Sequence, residues 1–348
     1  MLTFSVALAT YNGQKYLNAQ LNTISDQTAA PSELVVADDG SSDDTINILR
    51  EFAETAPFPV RIIQNQSRLG YRTNFMQAAA ACNSDLIAFC DQDDIWDLNK
   101  FRAVQNAFDD PNVLLAYHNA TLIDETGAAI GKTFRKRHET TLSPLTMRPW
   151  TIIPGHAQVV RRSLVRFTSL HSHSIDPYSP AERMPHDQWY PFWASVLGDI
   201  VYNPDPLAHY RQHGANASGW PANLIAFILD HVSNAEAYVE ANAFGAKNRL
   251  ELLHRSRDML TRDEVARVDA AIPYYEALCI ESDQRLAVYK GKTLAPRVRM
   301  LLSLLRQGAY TGKTLNSIGL DALLLDACIG IPSVRLGRSG GTSPQTIS

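Results

Sequence analysis

Leu86-Ile-Ala-Phe-Cys-Asp-Gln-Asp-Asp-Ile-Trp96 runs from a short apolar stretch straight into three carboxylates, Asp91, Asp93 and Asp94. The apolar part has the length and composition of a buried strand. Like charges gathered at a strand end repel one another and are tolerated when a cation sits between them. Carboxylate oxygens are hard ligands, so a divalent cation holding a diphosphate is the most economical candidate. In an extended segment, alternation would put Asp91 and Asp93 on one side. A plainer reading makes Asp93 or Asp94 the N-cap of a helix carrying Trp96, Lys100 and Val104. One carboxylate suffices for a cap, so the metal reading is preferred for Asp91 and Asp93, and Asp94 is left as the cap.

Working outward, the first 90 residues alternate strands and helices. Phe4 to Ala9 reads as a strand that stops at the turn Thr10-Tyr-Asn-Gly13. Tyr16, Leu17, Leu21 and Ile24 share a helical face. Leu34 to Ala37 is a second strand, ending at Asp38-Asp-Gly-Ser-Ser42, and Ile46, Ile48, Leu49 and Phe52 mark the next helix. Val60 to Ile63, a helix over 70–81 and a strand over 85–90 complete the series. Strands at this spacing predict a mostly parallel α/β sheet with right-handed crossovers. Ligands of such sheets bind beyond the carboxyl ends of the strands, where all three polar clusters lie.

The chain has 348 residues, 45% hydrophobic and 20% charged, with a formal net charge of -4. That is an ordinary globular composition, and it gives no reason to expect a nucleic-acid partner. Cys82, Cys90, Cys279 and Cys328 lack metal-type spacing and suit a reducing compartment. No signal peptide and no apolar run of membrane-spanning length is expected.

Several further groups are candidates for chemistry. Asp38 and Asp39 can accept the imide N–H of a uracil or thymine, or ribose hydroxyls, whereas Ser42, Asp43 and Asp44 are explained by turn and cap chemistry. Thr10, Tyr11 and Asn12 form a turn that can frame a nucleobase. Arg68, Arg72 and Asn74 offer two cations and an amide. Asp187 lies among Trp189, Tyr190, Phe192 and Trp193. That setting should raise its pKa toward useful basicity, and the rings could stack on a sugar; the plainer alternative is a helix start with the aromatics in the core. In Tyr210-Arg-Gln-His-Gly-Ala-Asn216, Arg211 can meet a diphosphate and the neutral imidazole of His213 can complete a metal shell. His171, His173 and His231 read as surface residues.

With these residues assembled, the chain resembles the inverting family 2 glycosyltransferases of GT-A fold, of the bacterial type that builds O-antigen and capsule. The resemblance runs from Val6-Ala-Leu-Ala-Thr-Tyr-Asn12 through Val35-Val-Ala-Asp-Asp-Gly-Ser41, Leu69-Gly-Tyr71 and Phe89-Cys-Asp-Gln-Asp-Asp-Ile-Trp96 to Asp187 and the turn after Tyr210. It implies roles by position. Asp39, with Asp38, takes base and ribose; Asp91 and Asp93 form the metal-binding pair for Mg²⁺ or Mn²⁺; Gln92 joins the nucleotide-sugar set; Asp187 is the catalytic base. The Gln-x-x-Arg-Trp motif and membrane helices of processive members are absent, which implies transfer of one residue per event. The Tyr210 turn is similar to that of rhamnosyltransferase-like members, so dTDP-L-rhamnose is a candidate donor beside UDP-sugars. A saccharide or lipid-linked saccharide is the implied acceptor.

The expected organisation is a GT-A-type catalytic domain over 1–220, with a nucleotide-binding half (1–110) and an acceptor-binding half (111–220). A helical C-terminal region over 221–335 and a disordered tail over 336–348 follow. The C-terminal helices are candidates for peripheral contact with the inner face of the cytoplasmic membrane, on an otherwise cytoplasmic protein, or for a homodimer contact. Two other functions compete. A haloacid-dehalogenase-like phosphatase also sets Asp-x-Asp after a buried strand, but in its first strand. A non-catalytic carbohydrate-binding protein would be expected to lack an acid or base.

Overall fold

A computed structural model describes residues 2–133, 140–214, 230, 232–310 and 320–331. The first four strands are β1 (Phe4–Thr10), β2 (Glu33–Asp38), β3 (Val60–Gln64) and β4 (Leu86–Cys90), with helices α1 (Leu17–Ser25), α2 (Thr45–Thr55) and α3 (Tyr71–Ala81) between them. They pair in parallel in the order β3-β2-β1-β4. β1 is therefore flanked by β2 on one side and β4 on the other. Loops leaving neighbouring strands diverge at this switch and leave a crevice between them.

Alternation along these strands divides the core. Val6, Leu8, Leu34, Val36, Leu86 and Ala88 face α1 and α2 and pack with Leu17, Leu21, Ile24 and Leu49. Ala7, Ala9, Val35, Ala37 and Phe89 point the other way and pack with Phe75, Met76, Ala78 and Ala79 of α3. Both faces are covered, which is why the strands read as unbroken apolar runs.

The sheet continues through antiparallel and mixed pairs to the order β3-β2-β1-β4-β9-β6-β10-β5. Here β5 is Ile95–Trp96, β6 Val113–Ile123, β9 Gln158–Arg161 and β10 Asp199–Arg211, while β7 (Ala129–Lys132) pairs with β6 and β8 (Thr141–Leu142) with β10. One expected helix differs. Residues 95–96 pair antiparallel with His209 and Ala208, and helix α4 begins only at Lys100, with Asn99 at its N-cap position. Asp94 is consequently not a cap. The backbone turns directly after Asp91 and re-enters the sheet, so helical periodicity through Trp96 and Lys100 was a coincidence of two different elements.

α5 (His186–Leu197) is buried along its whole length, and Trp189, Tyr190, Phe192 and Trp193 are core residues, each 2% exposed or less. Trp193 stacks on Phe167 at 4.0 Å. These rings are therefore unavailable for stacking on a sugar, and the plainer reading of that stretch holds. His171 is also buried, its Nε2 2.7 Å from the Met184 carbonyl, rather than a surface residue. His173 is exposed, whereas His231, the basic run Phe134 to His138, the apolar face over 224–228 and the tail lie outside the described residues.

Among the described residues, three longer helices follow β10, namely α6 (Ala235–Arg255), α7 (Arg262–Lys290) and α8 (Leu294–Gln307), and then the short α9 (Leu320–Leu325) and a π-turn over Asp326–Gly330. They have a core of their own around Val239, Val288, Tyr289 and Leu304. The fully buried Asp326 accepts hydrogen bonds from Arg285 Nε, Tyr289 Oη and Tyr310 Oη at 2.6–3.0 Å. Among the described residues no helix is long and apolar enough to cross a membrane.

Candidate active site

The loop after β2 is built on its two aspartates, and the two do different things. Asp38 is fully buried and accepts from Thr10 Oγ1, the amides of Gly40 and Ser41, and Ser41 Oγ. Its carboxylate is spent on shaping the turn, which Gly40 permits with φ +78°. Asp39 accepts from the amides of Leu69 and Gly70 at 2.6 and 2.9 Å and so suspends the 68–70 loop over the crevice. Gly70 takes φ +83° to make that loop. Asn12 accepts from the Ser42 amide at 2.9 Å, and its own amide donates to Ser41 Oγ, which ties the first loop to the second.

The 91–94 turn is fastened at several points. Gln92 donates to the Tyr11 carbonyl and accepts from the Tyr11 amide at 3.1 and 2.9 Å, a two-point splice between the loops after β1 and β4. Arg211 binds the turn from behind. Its amide donates to Asp94 Oδ1, its Nε to the Asp93 carbonyl, and its Nη1 to the carbonyls of Asp124 and Glu125. Held this way, Arg211 is a brace of the turn and not part of the cleft lining. His213 places Nε2 2.8 Å from Asp93 Oδ2 and stacks on Tyr16. The predicted set Asp91, Asp93 and His213 therefore does not converge as three ligands. The group whose ligand atoms lie within 4.8 Å of one another is Asp91, Asp94 and His156.

That cluster is electrostatically unusual. Burial, then Asp93 and Asp187, push the Asp91 carboxyl up to about 7, and burial with Asp93 and Asp91 holds Asp94 well above the usual carboxylate range. Burial, then Lys100 and His186, lower His156 to about 3, so its imidazole is neutral and its 3.9 Å approach to Asp94 is not an ion pair. Asp94 Oδ2 and His156 Nε2 have no hydrogen-bond partner. Beneath them Lys100 is fully buried, donating to the His156 carbonyl at 2.6 Å and lying 3.7 Å over the Trp96 ring. Burial lowers this ammonium to about 7, against the pull of Cys90, Asp94 and Asp91. Asp94, Lys100 and His156 were missed as a group. The turn Pro154-Gly155 ahead of His156 was the only local signal for it.

Asp187 occupies the first turn of α5 and is 7% exposed. Burial, then Asp176, raise its carboxyl to about 7, opposed by Arg72 and by the amides of the helix start. Arg72 lies 2.6 Å from the fully buried Asp176. His186 is packed between Phe75 and Phe89 with neither ring nitrogen hydrogen-bonded, and burial keeps it neutral, at about 3.

These groups meet in one cleft of about 600 Å³. Of the residues expected from the sequence, Thr10, Tyr11, Asp39, Arg68, Arg72, Asn74, Asp91, Gln92, Asp93 and Asp187 line it. Asn12, Asp38, Arg211 and His213 stand behind the lining as supports. Arg68 lies 4.1 Å over the Tyr11 ring at the mouth, and Asn74 donates to the Ala37 carbonyl on the floor. Glu182 and His156 also line the cleft and carried no sequence signal strong enough to select them, and His186, the neighbour of Asp187, lines it too.

Residues 5–167 match the family model described as Glycosyl transferase family 2. This part of the chain is similar to family 2 glycosyltransferases. Asp187, Arg211 and His213 lie beyond the matched family 2 segment. Relatives include an uncharacterized glycosyltransferase of Nostoc sp., 28% identical over 62% of this chain and 66% of its own length. The dTDP-rhamnosyl transferase RfbG of Shigella flexneri is 27% identical over 61% of this chain and 73% of its own. An uncharacterized Mycobacterium tuberculosis protein is 27% identical, and only 58% of it is covered. The chain thus spans under two thirds of the length of the Nostoc and Mycobacterium relatives. Among solved structures, Staphylococcus aureus TarS 1–349 superposes with TM-score 0.53 at 17% identity, covering 89% of this chain and 93% of TarS 1–349. That likeness shows a shared fold, which extends beyond the segment matched by the family model.

Proposed function

We propose that the protein is an inverting glycosyltransferase. It moves one sugar from a nucleotide-diphosphate sugar to a hydroxyl of a saccharide or lipid-linked saccharide, in synthesis of a cell-surface polysaccharide. The observation that carries this reading is the convergence of Asp39, Asp91, Asp93 and Asp187 on one cleft beyond the carboxyl ends of β1, β2 and β4. In this reading residues 1–110 form the nucleotide side and 111–220 the acceptor side. The base and ribose lie against Tyr11 and the loop that Asp39 suspends. TarS has been solved in complex with UDP and with UDP-GlcNAc, and RfbG is named for dTDP-rhamnose, so UDP- and dTDP-sugars are the donors to try first.

Asp187 takes the proton from the acceptor hydroxyl as that oxygen forms its bond to the anomeric carbon and the bond to the diphosphate breaks. A single base is enough for one displacement with inversion. A carboxyl raised to about 7 is well matched to that task near neutral pH. The donor set around Asp91, Asp94 and His156 fits a divalent cation. Two hard carboxylates and a neutral imidazole converge, with unpartnered atoms on Asp94 and His156. Mg²⁺ or Mn²⁺ held there, with Asp93 beside it, would neutralise charge on the departing diphosphate. A phosphatase would need its nucleophilic Asp after the first strand, where this chain has Thr10-Tyr11-Asn12.

The test is to incubate the purified protein with a panel of UDP-, dTDP- and GDP-sugars and score release of nucleoside diphosphate, with and without chelator. Selective turnover of one donor supports the reading. Hydrolysis of p-nitrophenyl phosphate with no donor turned over overturns it.

A further inference from the structure

Helix α8 (Leu294–Gln307) shows an unusual outer face. Leu294, Val298 and Leu302 are 60%, 37% and 45% exposed. Spaced four residues apart, they stack as one apolar stripe along the helix. About a third of a turn round from the stripe Leu304 is buried, and Met300, Leu301 and Leu305 pack beside it against the Val288–Tyr289 core. Helical phase sets Arg299 and Arg306 along one edge of the stripe, and both are exposed, as is Lys292 just before the helix. Leu324, in the next helix, is 65% exposed.

Charge singles out the same segment. Between residues 284 and 320 the chain has no Asp or Glu, yet it carries Lys or Arg at 285, 290, 292, 297, 299, 306 and 313. Of these, Arg285 pairs with Asp326 and Lys290 with Glu240, while Lys292, Arg299 and Arg306 are exposed beside the apolar stripe of a protein whose net charge is -4. An apolar face edged by cations and free of acids complements a negatively charged lipid surface. Apolar side chains enter the acyl boundary while Arg and Lys stay among the headgroups. A stripe bound for another protein of ordinary composition would have no need to exclude acids from 37 consecutive residues.

We propose that α8 lies on an anionic membrane surface, with Leu294, Val298 and Leu302 in the interface and Lys292, Arg299 and Arg306 on the headgroups. The inference stands on this helix face alone and is independent of the glycosyl-transfer reading.

The full-length protein is floated with vesicles of phosphatidylcholine alone and of phosphatidylcholine with phosphatidylglycerol. It should rise with the anionic vesicles, stay behind with the neutral ones, and lose binding in high salt. The double variants Leu294→Asp/Leu302→Asp and Arg299→Glu/Arg306→Glu should each lower partition by roughly tenfold or more with unchanged melting temperature, because all four side chains are exposed. Equal flotation with both vesicle types, no flotation, or undiminished binding of the variants overturns the proposal. So does sedimentation velocity in which the Asp variant splits a dimer while vesicle binding persists; that outcome makes the stripe a contact between two copies of the chain.

Discussion

Asp187 shows how one side chain acquires its chemistry from its surroundings. A carboxyl at a helix start would ordinarily be stabilised as the anion, yet here burial and Asp176 outweigh the helix and Arg72, and the group titrates near 7. A base must be deprotonated to act, so activity should rise with pH through about 7. Asp187→Asn should keep donor affinity and lose roughly 10²- to 10⁴-fold in kcat; calorimetric donor binding alongside steady-state turnover checks both halves. Arg72→Met removes the cation that favours the anion and leaves Asp176 uncompensated, and both changes push Asp187 upward. The acidic limb of the kcat/KM profile should therefore move to higher pH, and a limb that stays in place would separate Arg72 from Asp187.

Strand ends and helix starts were legible from the sequence, because apolar runs, Gly turns and Asx chemistry are local signals. Asp39, Asp91, Asp93 and Asp187 could be selected for that reason. The route of the chain between Asp91 and Lys100 was not legible, since two residues of strand leave no periodicity to detect. Asp94 and Lys100 were thereby read as the cap and a member of one helix, although strand β5 separates them and both are fully buried. His156 arrives from about 60 residues further on, and nothing local says which strand it will meet. At the level of elements, the 153–157 loop is fitted to the start of α5 with no spare room. A Cβ on Gly155 would run into His186 Nε2. Gly155→Ala should therefore displace His186 and with it Asp187. The expected stability cost is about 1–3 kcal/mol, and kcat should fall more than donor affinity. Thermal melting and turnover, measured together, test this; unchanged kcat would mean the loop yields without moving α5.

The whole molecule gathers carboxyl groups around a cleft, and burial favours the neutral, protonated forms of two of them. Asp91 and Asp94 are raised above their unfolded values. The stability contributed by protonated Asp91 is therefore present at low pH and is lost as pH climbs from the ordinary carboxylate range through about 7, and Asp94 acts in the same direction. A divalent cation can take the place of the lost protons. Added Mn²⁺ should accordingly raise the melting temperature by several degrees more at pH 8 than at pH 6. A shift that is absent or the same at both pH values would remove the acidic cluster as a cation site.

The splice made by Gln92 implies that the loops after β1 and β4 form one wall of the cleft mouth, tied together at two points. Tyr11 cannot move without dragging the aspartate turn along, so the wall formed by the ends of β1 and β4 behaves as a single piece. The facing wall, residues 68–70, hangs from the Asp39 carboxylate by two amides. On the proposed reading, substitutions at Arg68 or Leu69 act on this facing wall and are the place to widen or redirect donor choice while leaving the Gln92 splice undisturbed.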